Sequence, residues 1–206
     1  MNYLILDTST SGTIVAVFED GKPLKTVRDA DNTKQNEHLP VIVKSVMEEL
    51  AMPFKAIDKI LVTKGPGSFT GIRIGLSFAR GLSLSLGTEV VGIDNFDALR
   101  GNCRIDKEVL VAIDSRKGDW FMKTPTSFPV SGGVETAKSM IAGMKNPKII
   151  SYRAGRLSEL LGIDMVLETS VTAFGIMNAY MTLSKSADTS PAPLYIRPAD
   201  VTLKSK

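Results

Sequence analysis

Cysteine and histidine each occur once in the 206 residues, as Cys103 and His38. A lone cysteine excludes an intramolecular disulfide. One cysteine and one histidine cannot assemble a Cys/His zinc site or a His–His metal dyad within the chain. The same scarcity weakens hydrolase readings, because a Ser-His-Asp triad would have to use His38 at a helix start, and Cys103 has no evident base. A dominant charge is missing too: 25 basic against 22 acidic residues leave +3, too mild to imply a nucleic-acid-binding surface. No apolar run approaches the roughly 18 residues of a membrane span. The opening Met1–Asp7 has no basic leader and carries an aspartate where a signal peptide stays apolar, so a cytoplasmic globular protein without membrane contact is expected. The remainder is ordinary, at 43% hydrophobic and 23% charged, and long enough for one large domain or two modest ones.

The pattern is α/β. Tyr3–Leu6, Thr13–Phe18 and Leu24–Arg28 are apolar or β-branched runs separated by turn residues, including the hairpin pair Asp20-Gly21, and predict three antiparallel strands. From about Asn36 to Ala51, the residues Leu39, Ile42, Val43, Val46, Met47 and Leu50 form one apolar helical stripe, with Asn36 as a plausible N-cap. Lys59–Thr63 reads as a strand entering the loop Gly65-Pro66-Gly67-Ser68, and a helix from about Phe69 to Leu86 stops at Gly87. Glu89–Gly92 reads as a strand and Asn95–Asn102 as a helix. Val109–Ser115 then repeats the plan of Tyr3–Thr8: an apolar strand, an aspartate at its end, a hydroxyl residue next. Trp120–Met122 fits the returning strand. Two related halves follow, with a boundary near 102–107 and domains of 1–104 and 105–206. In the second half, 134–146, 154–161 and 171–185 read as helices, and Lys148–Tyr152 and Leu194–Arg197 as strands.

The glycine loop presents backbone N–H groups at a helix start, which suits an anion or a tight structural turn. It is not a Walker A loop, a dinucleotide fingerprint or a nucleophile elbow. Behind it Gly71, Gly75, Ala79 and Ser83 recur every fourth residue and leave one helix face nearly bare. Glycine costs a helix about 1 kcal/mol relative to alanine, so close approach of another backbone is the expected compensation, from the first helix or from another subunit. Asp7, Thr8 and Ser9 in one turn, with Asp114 in the copied turn, could hold a phosphate and its metal, or be ordinary turns. His38 reads as covering its helix start.

Lys64–Leu86, KGPGSFTGIRIGLSFARGLSLSL, resembles the signature of the bacterial tRNA threonylcarbamoyladenosine biosynthesis family TsaB, or YeaZ. Leu4–Val17, Asn36–Leu39, Ala112–Arg116 and Leu194–Arg197 also resemble family landmarks, while 120–190 is only loosely similar. The resemblance implies an actin/sugar-kinase/Hsp70-like fold of two duplicated lobes, each a mixed β-sheet with helices. It implies a non-catalytic dimerisation and scaffold subunit, with no cofactor or metal, in the complex that adds threonylcarbamoyl to N6 of adenosine 37 in ANN-decoding tRNAs. Its partners would be the catalytic paralogue TsaD and the ATPase TsaE, with a homodimer when alone and tRNA met through the complex. The catalytic paralogue uses a His-x-x-x-His motif, whereas the position four after His38 is Ile42. This leaves the peptidase label of such sequences without support; an ATP-binding phosphotransferase using a degenerate site at Asp7, Thr8, Ser9 and Asp114 is the main alternative. The helices near Asn36 and Phe69 are expected to form the dimer interface through Leu39, Ile42, Val46, Gly71, Ile72, Gly75, Leu76 and Ala79.

Overall fold

The computed structural model describes residues 1–103, 108–184 and 187–197. Strands β1 (Asn2–Asp7), β2 (Thr13–Glu19) and β3 (Lys22–Asp29) pair antiparallel, and β4 (Lys59–Thr63) and β5 (Glu89–Ile93) join in parallel, in the order β3-β2-β1-β4-β5. Helix α1 (Gln35–Glu49) links β3 to β4, α2 (Phe69–Leu86) links β4 to β5, and α3 (Asn95–Arg100) follows β5. The second sheet repeats this connectivity. It contains β6 (Val109–Asp114), β7 (Trp120–Lys123), β8 (Val130–Gly132), β9 (Lys148–Tyr152) and β10 (Met165–Glu168) in the order β10-β9-β6-β7-β8, with helices α4 (Val134–Ile141), α5 (Gly155–Leu161) and α6 (Ala173–Thr182) in the corresponding places. The duplication suggested by two short strand-aspartate motifs therefore extends through every strand and α-helix; the short 3-10 turn Phe54–Ala56 before β4 has no counterpart.

Strand alternation explains the layers. Leu4, Leu6, Val15 and Val17 point to the α1–α2 side, while Tyr3, Ile5, Ile14, Ala16 and Phe18 point to the inner side, where they meet Val111, Ile113 and Ile150 of the second sheet together with α3 and α6. Leu110, Ala112, Ile149 and Leu157 form a third core on the outer face of the second sheet. Fully burying one such large side chain contributes about 1.5–3 kcal/mol. The last helix of each half crosses over, α3 packing on β6 and β9 and α6 on β1 and β4. They touch each other through glycine, since a Cβ on Gly101 would strike the Gly175 carbonyl and one on Gly175 the Ala98 carbonyl. The boundary expected at 104–105 lies outside the described residues.

Several local expectations need correction. Helix α1 starts at Gln35, so Asn36 is inside it, and the capping residue Lys34 makes no side-chain cap. Helices α4 and α6 are shorter than their apolar runs suggest. Leu194–Arg197 is not a strand; the Leu194 N–H donates to Lys64 O at 2.8 Å, but no ladder forms. Strands β8 and β10, of three and four residues, are too short to show alternation.

Candidate functional site

The ends of β1 and β4 and the start of α2 meet at Asp7. Its side chain has no exposed surface. Oδ1 accepts from Ser9 N at 2.8 Å, Ser9 Oγ at 2.6 Å and Thr63 Oγ1 at 2.7 Å, and Oδ2 accepts from Thr10 Oγ1 at 2.6 Å. A buried carboxylate is tolerable only with such compensation. Thr8 Oγ1 donates to Gly71 O at 2.6 Å, clamping the hairpin to α2. Gln35, buried at the start of α1, donates from Nε2 to Thr8 O and Gly12 O at 3.2 and 2.8 Å. The glycine loop closes the assembly: Ser68 N donates to Ser9 O at 2.7 Å, and Asn95 Nδ2 donates to Ser9 Oγ and Pro66 O, each at 2.8 Å. A Cβ on Gly67 would collide with the Ser9 carbonyl, which explains glycine there.

The polar side-chain atoms of Asp7, Thr8 and Ser9 hold the turn to α2 and β4, as the ordinary-turn alternative expects. Asp114, at the end of β6, is half-buried and reaches a chamber of about 40 Å³ shared with Ser9, Gly67 and Ser68. That space has room for a few waters and is far below a nucleotide. Gln35, Thr63 and Asn95 escaped sequence reasoning, since burial of an isolated polar residue leaves no periodic mark.

The bare face of α2 lies on its own sheet. A Cβ on Gly71 would come closer than 3.0 Å to the Thr8 carbonyl oxygen, and one on Gly75 would sit 2.6 Å from Thr8 Oγ1. Leu39, Val46, Ile72, Leu76 and Ala79 are buried in the core beneath α1 and α2. Seven of the eight expected interface residues are therefore occupied within the chain, and Ile42 alone of the eight keeps partial exposure. What the helix pair offers outward is a groove of about 430 Å³ lined by Pro40, Phe69, Arg73, Ile74 and Phe78. Phe69 is 48% exposed, and the Arg73 guanidinium stacks 3.7 Å from its ring centroid.

His38 Nδ1 is 2.7 Å from Asp29 Oδ2, joining α1 to β3 as a cover for the helix start. The Asp31 amide, followed by His38, holds the Asp29 carboxyl below its usual range. Two of the polar ties between the lobes rest on ion pairs. Lys123 on β7 donates to Asp94 Oδ2 at 2.6 Å and Asp97 Oδ2 at 2.8 Å. Desolvation pushes the Asp94 carboxyl up, with the neighbouring Asp97 charge adding to it. Desolvation lowers the Lys123 ammonium, but Asp94 and Asp97 outweigh it, and the net shift is upward. The segment 187–197 is the second tie. Lys64 donates to Asp188 O and Oδ2 at 2.6 and 2.8 Å, Gly92 N to Thr189 O at 2.8 Å, and Arg197 pairs with Asp119 in the second lobe. Among the described residues, no three His, Cys, Asp or Glu side chains gather as a metal site, and no helix is long and apolar enough to cross a membrane.

Duplicated lobes with an aspartate at the end of each first strand define a protein of the actin/sugar-kinase/Hsp70-like class. YeaZ from Pseudomonas aeruginosa superposes with a TM-score of 0.75 over 94% of this chain and 99% of that one, at 19% identity. The ethanolamine utilization protein EutJ from Carboxydothermus hydrogenoformans gives 0.53 over 87% and 90%, at 12% identity. The family model for TsaD, tRNA N6-adenosine threonylcarbamoyltransferase, matches residues 32–149. The tRNA threonylcarbamoyladenosine biosynthesis protein TsaB of Escherichia coli K12 is 33% identical over 166 residues, 77% of this chain and 68% of that protein. The Haemophilus influenzae protein of the same name is 30% identical over 122 residues, 58% of this chain and 51% of that protein. The chain belongs to the TsaB family, within the wider threonylcarbamoyltransferase group. It spans about half the length of several curated relatives that it matches.

Proposed function

We propose that this chain is a non-catalytic subunit of the machinery that adds threonylcarbamoyl to N6 of adenosine 37 in ANN-decoding tRNAs. The observation that carries the reading is the match to curated TsaB proteins together with the TsaD family model. It works in the cytoplasm, pairs with the catalytic TsaD paralogue, cooperates with the ATPase TsaE, and forms a homodimer when alone. It meets tRNA through the complex. The α1–α2 face is the docking surface for either partner, because it combines an apolar groove with the exposed ring of Phe69. Its contacts are Ile42, Phe69, Ile74 and Phe78, above the buried residues that shape the helix pair. One surface serving two partners makes the homodimer and the heterodimer mutually exclusive. A phosphotransferase role through Asp7 is disfavoured because both carboxylate oxygens already accept hydrogen bonds within the chain.

The test is co-purification with the TsaD paralogue of the same genome, followed by threonylcarbamoyl transfer to tRNA read by nucleoside mass spectrometry. Transfer should require this chain, and Phe78→Asp should abolish capture while leaving the fold intact. Equal transfer without the chain, or transfer by the chain alone, overturns the reading.

A further inference from the structure

Arg73 stands on the exposed side of α2, where two rings hold it. Its guanidinium lies 3.7 Å from the Phe69 ring centroid, and Nη2 donates to Tyr195 Oη at 3.3 Å. The rings lean on each other, with centroids 6.1 Å apart and planes at 38°. Arg73 has no ion pair among the described residues. No acidic residue occurs in α2, and none lines the groove beside it. The segment 187–197 treats the other cations it meets differently. Lys64 receives the Asp188 carboxylate, and Arg197 pairs with Asp119. To Arg73 it supplies a neutral phenol, 122 residues away along the chain. Tyr195 is itself fixed, because Leu194 N donates to Lys64 O at 2.8 Å and Arg197 Nε to Ser131 Oγ at 2.5 Å.

A free surface arginine loses rotamer freedom when a partner captures it, and that loss weakens binding. Stacked on one ring and tethered to another, Arg73 has given up that freedom before any partner arrives. Its charge is left unanswered, and its planar fork matches a carboxylate in geometry. Covering it with an apolar face alone would strip its water without compensation. Phe69 and Arg73 both line the groove of about 430 Å³, so a partner seated there meets the cation. A groove between two helices suits a third helix laid along it. A second copy of this chain complements the cation poorly. Its α2 brings Arg73 and Arg80 and no carboxylate, while Glu48 and Glu49 of α1 are already paired with Lys44 and Lys25.

We propose that Arg73 is the charged anchor of the docking surface, with Tyr195 as its positioning residue, and that the partner is an apolar helical face bearing an aspartate or glutamate opposite it. This rests on the α1–α2 docking reading and deepens it. The test is the affinity of the whole chain for the paralogue of the co-purification above, read by biolayer interferometry at low and high salt. Arg73→Gln should weaken it about tenfold or more, the loss of one charge-assisted contact, and should remove most of its salt dependence. Arg73→Lys should recover only part, since it keeps the charge and loses the fork. Tyr195→Phe, which keeps the ring and loses the hydroxyl, should weaken binding about threefold and add nothing to a chain already carrying Arg73→Gln. An equal loss in both backgrounds makes Tyr195 merely structural and overturns its positioning role. Arg156→Gln, which removes an exposed charge from α5, should change nothing. If Phe78→Asp abolishes capture while Arg73→Gln leaves affinity and salt dependence intact, the proposal is overturned and the docking surface stands. Capture indifferent to both variants overturns the two together. Weakened self-association with unaltered binding of the paralogue assigns the carboxylate to a second copy and likewise overturns the proposal.

Discussion

Gly71→Ala and Gly81→Ala make the same chemical change in the same helix and should move stability in opposite directions. At Gly71 the new Cβ would come closer than 3.0 Å to the Thr8 carbonyl oxygen, a backbone atom that cannot swing aside. Relief requires α2 to lift from β1, which also breaks the 2.6 Å bond from Thr8 Oγ1 to Gly71 O. Overpacking costs about 1–3 kcal/mol, the lost hydrogen bond about 1 kcal/mol more, and the better helix propensity of alanine returns at most about 1 kcal/mol. The net loss is about 2 kcal/mol, a fall in Tm of about 4–8 °C for a chain of this size. At Gly81 nothing lies within 4 Å of the added carbon. There the propensity gain stands alone, about 1 kcal/mol and a rise of about 2–4 °C. Scanning calorimetry on the two variants and the parent reads both signs. If Gly71→Ala melts at or above the parent, or Gly81→Ala melts below it, then α2 does not lie on β1 through its glycine face and the packing argument fails.

Lys123→Met leaves Asp94 and Asp97 side by side with side chains only 13% and 21% exposed, and should cost about 3 kcal/mol at neutral pH. Because the folded state raises the Asp94 pKa above 3.8, ionising it costs stability as pH rises through the raised value, so the variant should recover part of its loss on acidification; a chemical-denaturation series showing a pH-independent deficit would refute this. Asp188 shifts the other way. Lys64, then the Ser190 amide, depresses its pKa below 3.8, so its contribution is present above 3.8 and is lost as pH falls through the depressed folded value. Pepsin should therefore cut within 188–194 more readily with falling pH in the parent, whereas Asp188→Asn should be cut readily across the range, and identical profiles would refute the tie.

Much of the fold is readable from local pattern. Alternation in β1 and β2, the stripe of α1 and the Gly87 stop of α2, where φ is 69°, are set by neighbours within a turn or two, so a short stretch of sequence carries them. The paired strand-aspartate motifs at Asp7 and Asp114 disclosed the duplication, because related lobes keep the same plan in the same order. The resemblance of the glycine-loop helix disclosed the family for the same reason. The site was less legible. The sequence shows that one face of α2 is bare but not what lies against it; only the assembled sheet brings Thr8 there, sixty-three residues away along the chain. It shows an aspartate among hydroxyls, but Thr63 and Asn95 must fold onto that turn before its polar atoms are seen to be spent. The exchange of α3 and α6 between sheets and the Lys123 tie depend on contacts between lobes. Periodicity records which way a side chain faces, whereas what it meets there is decided only when distant segments pack together.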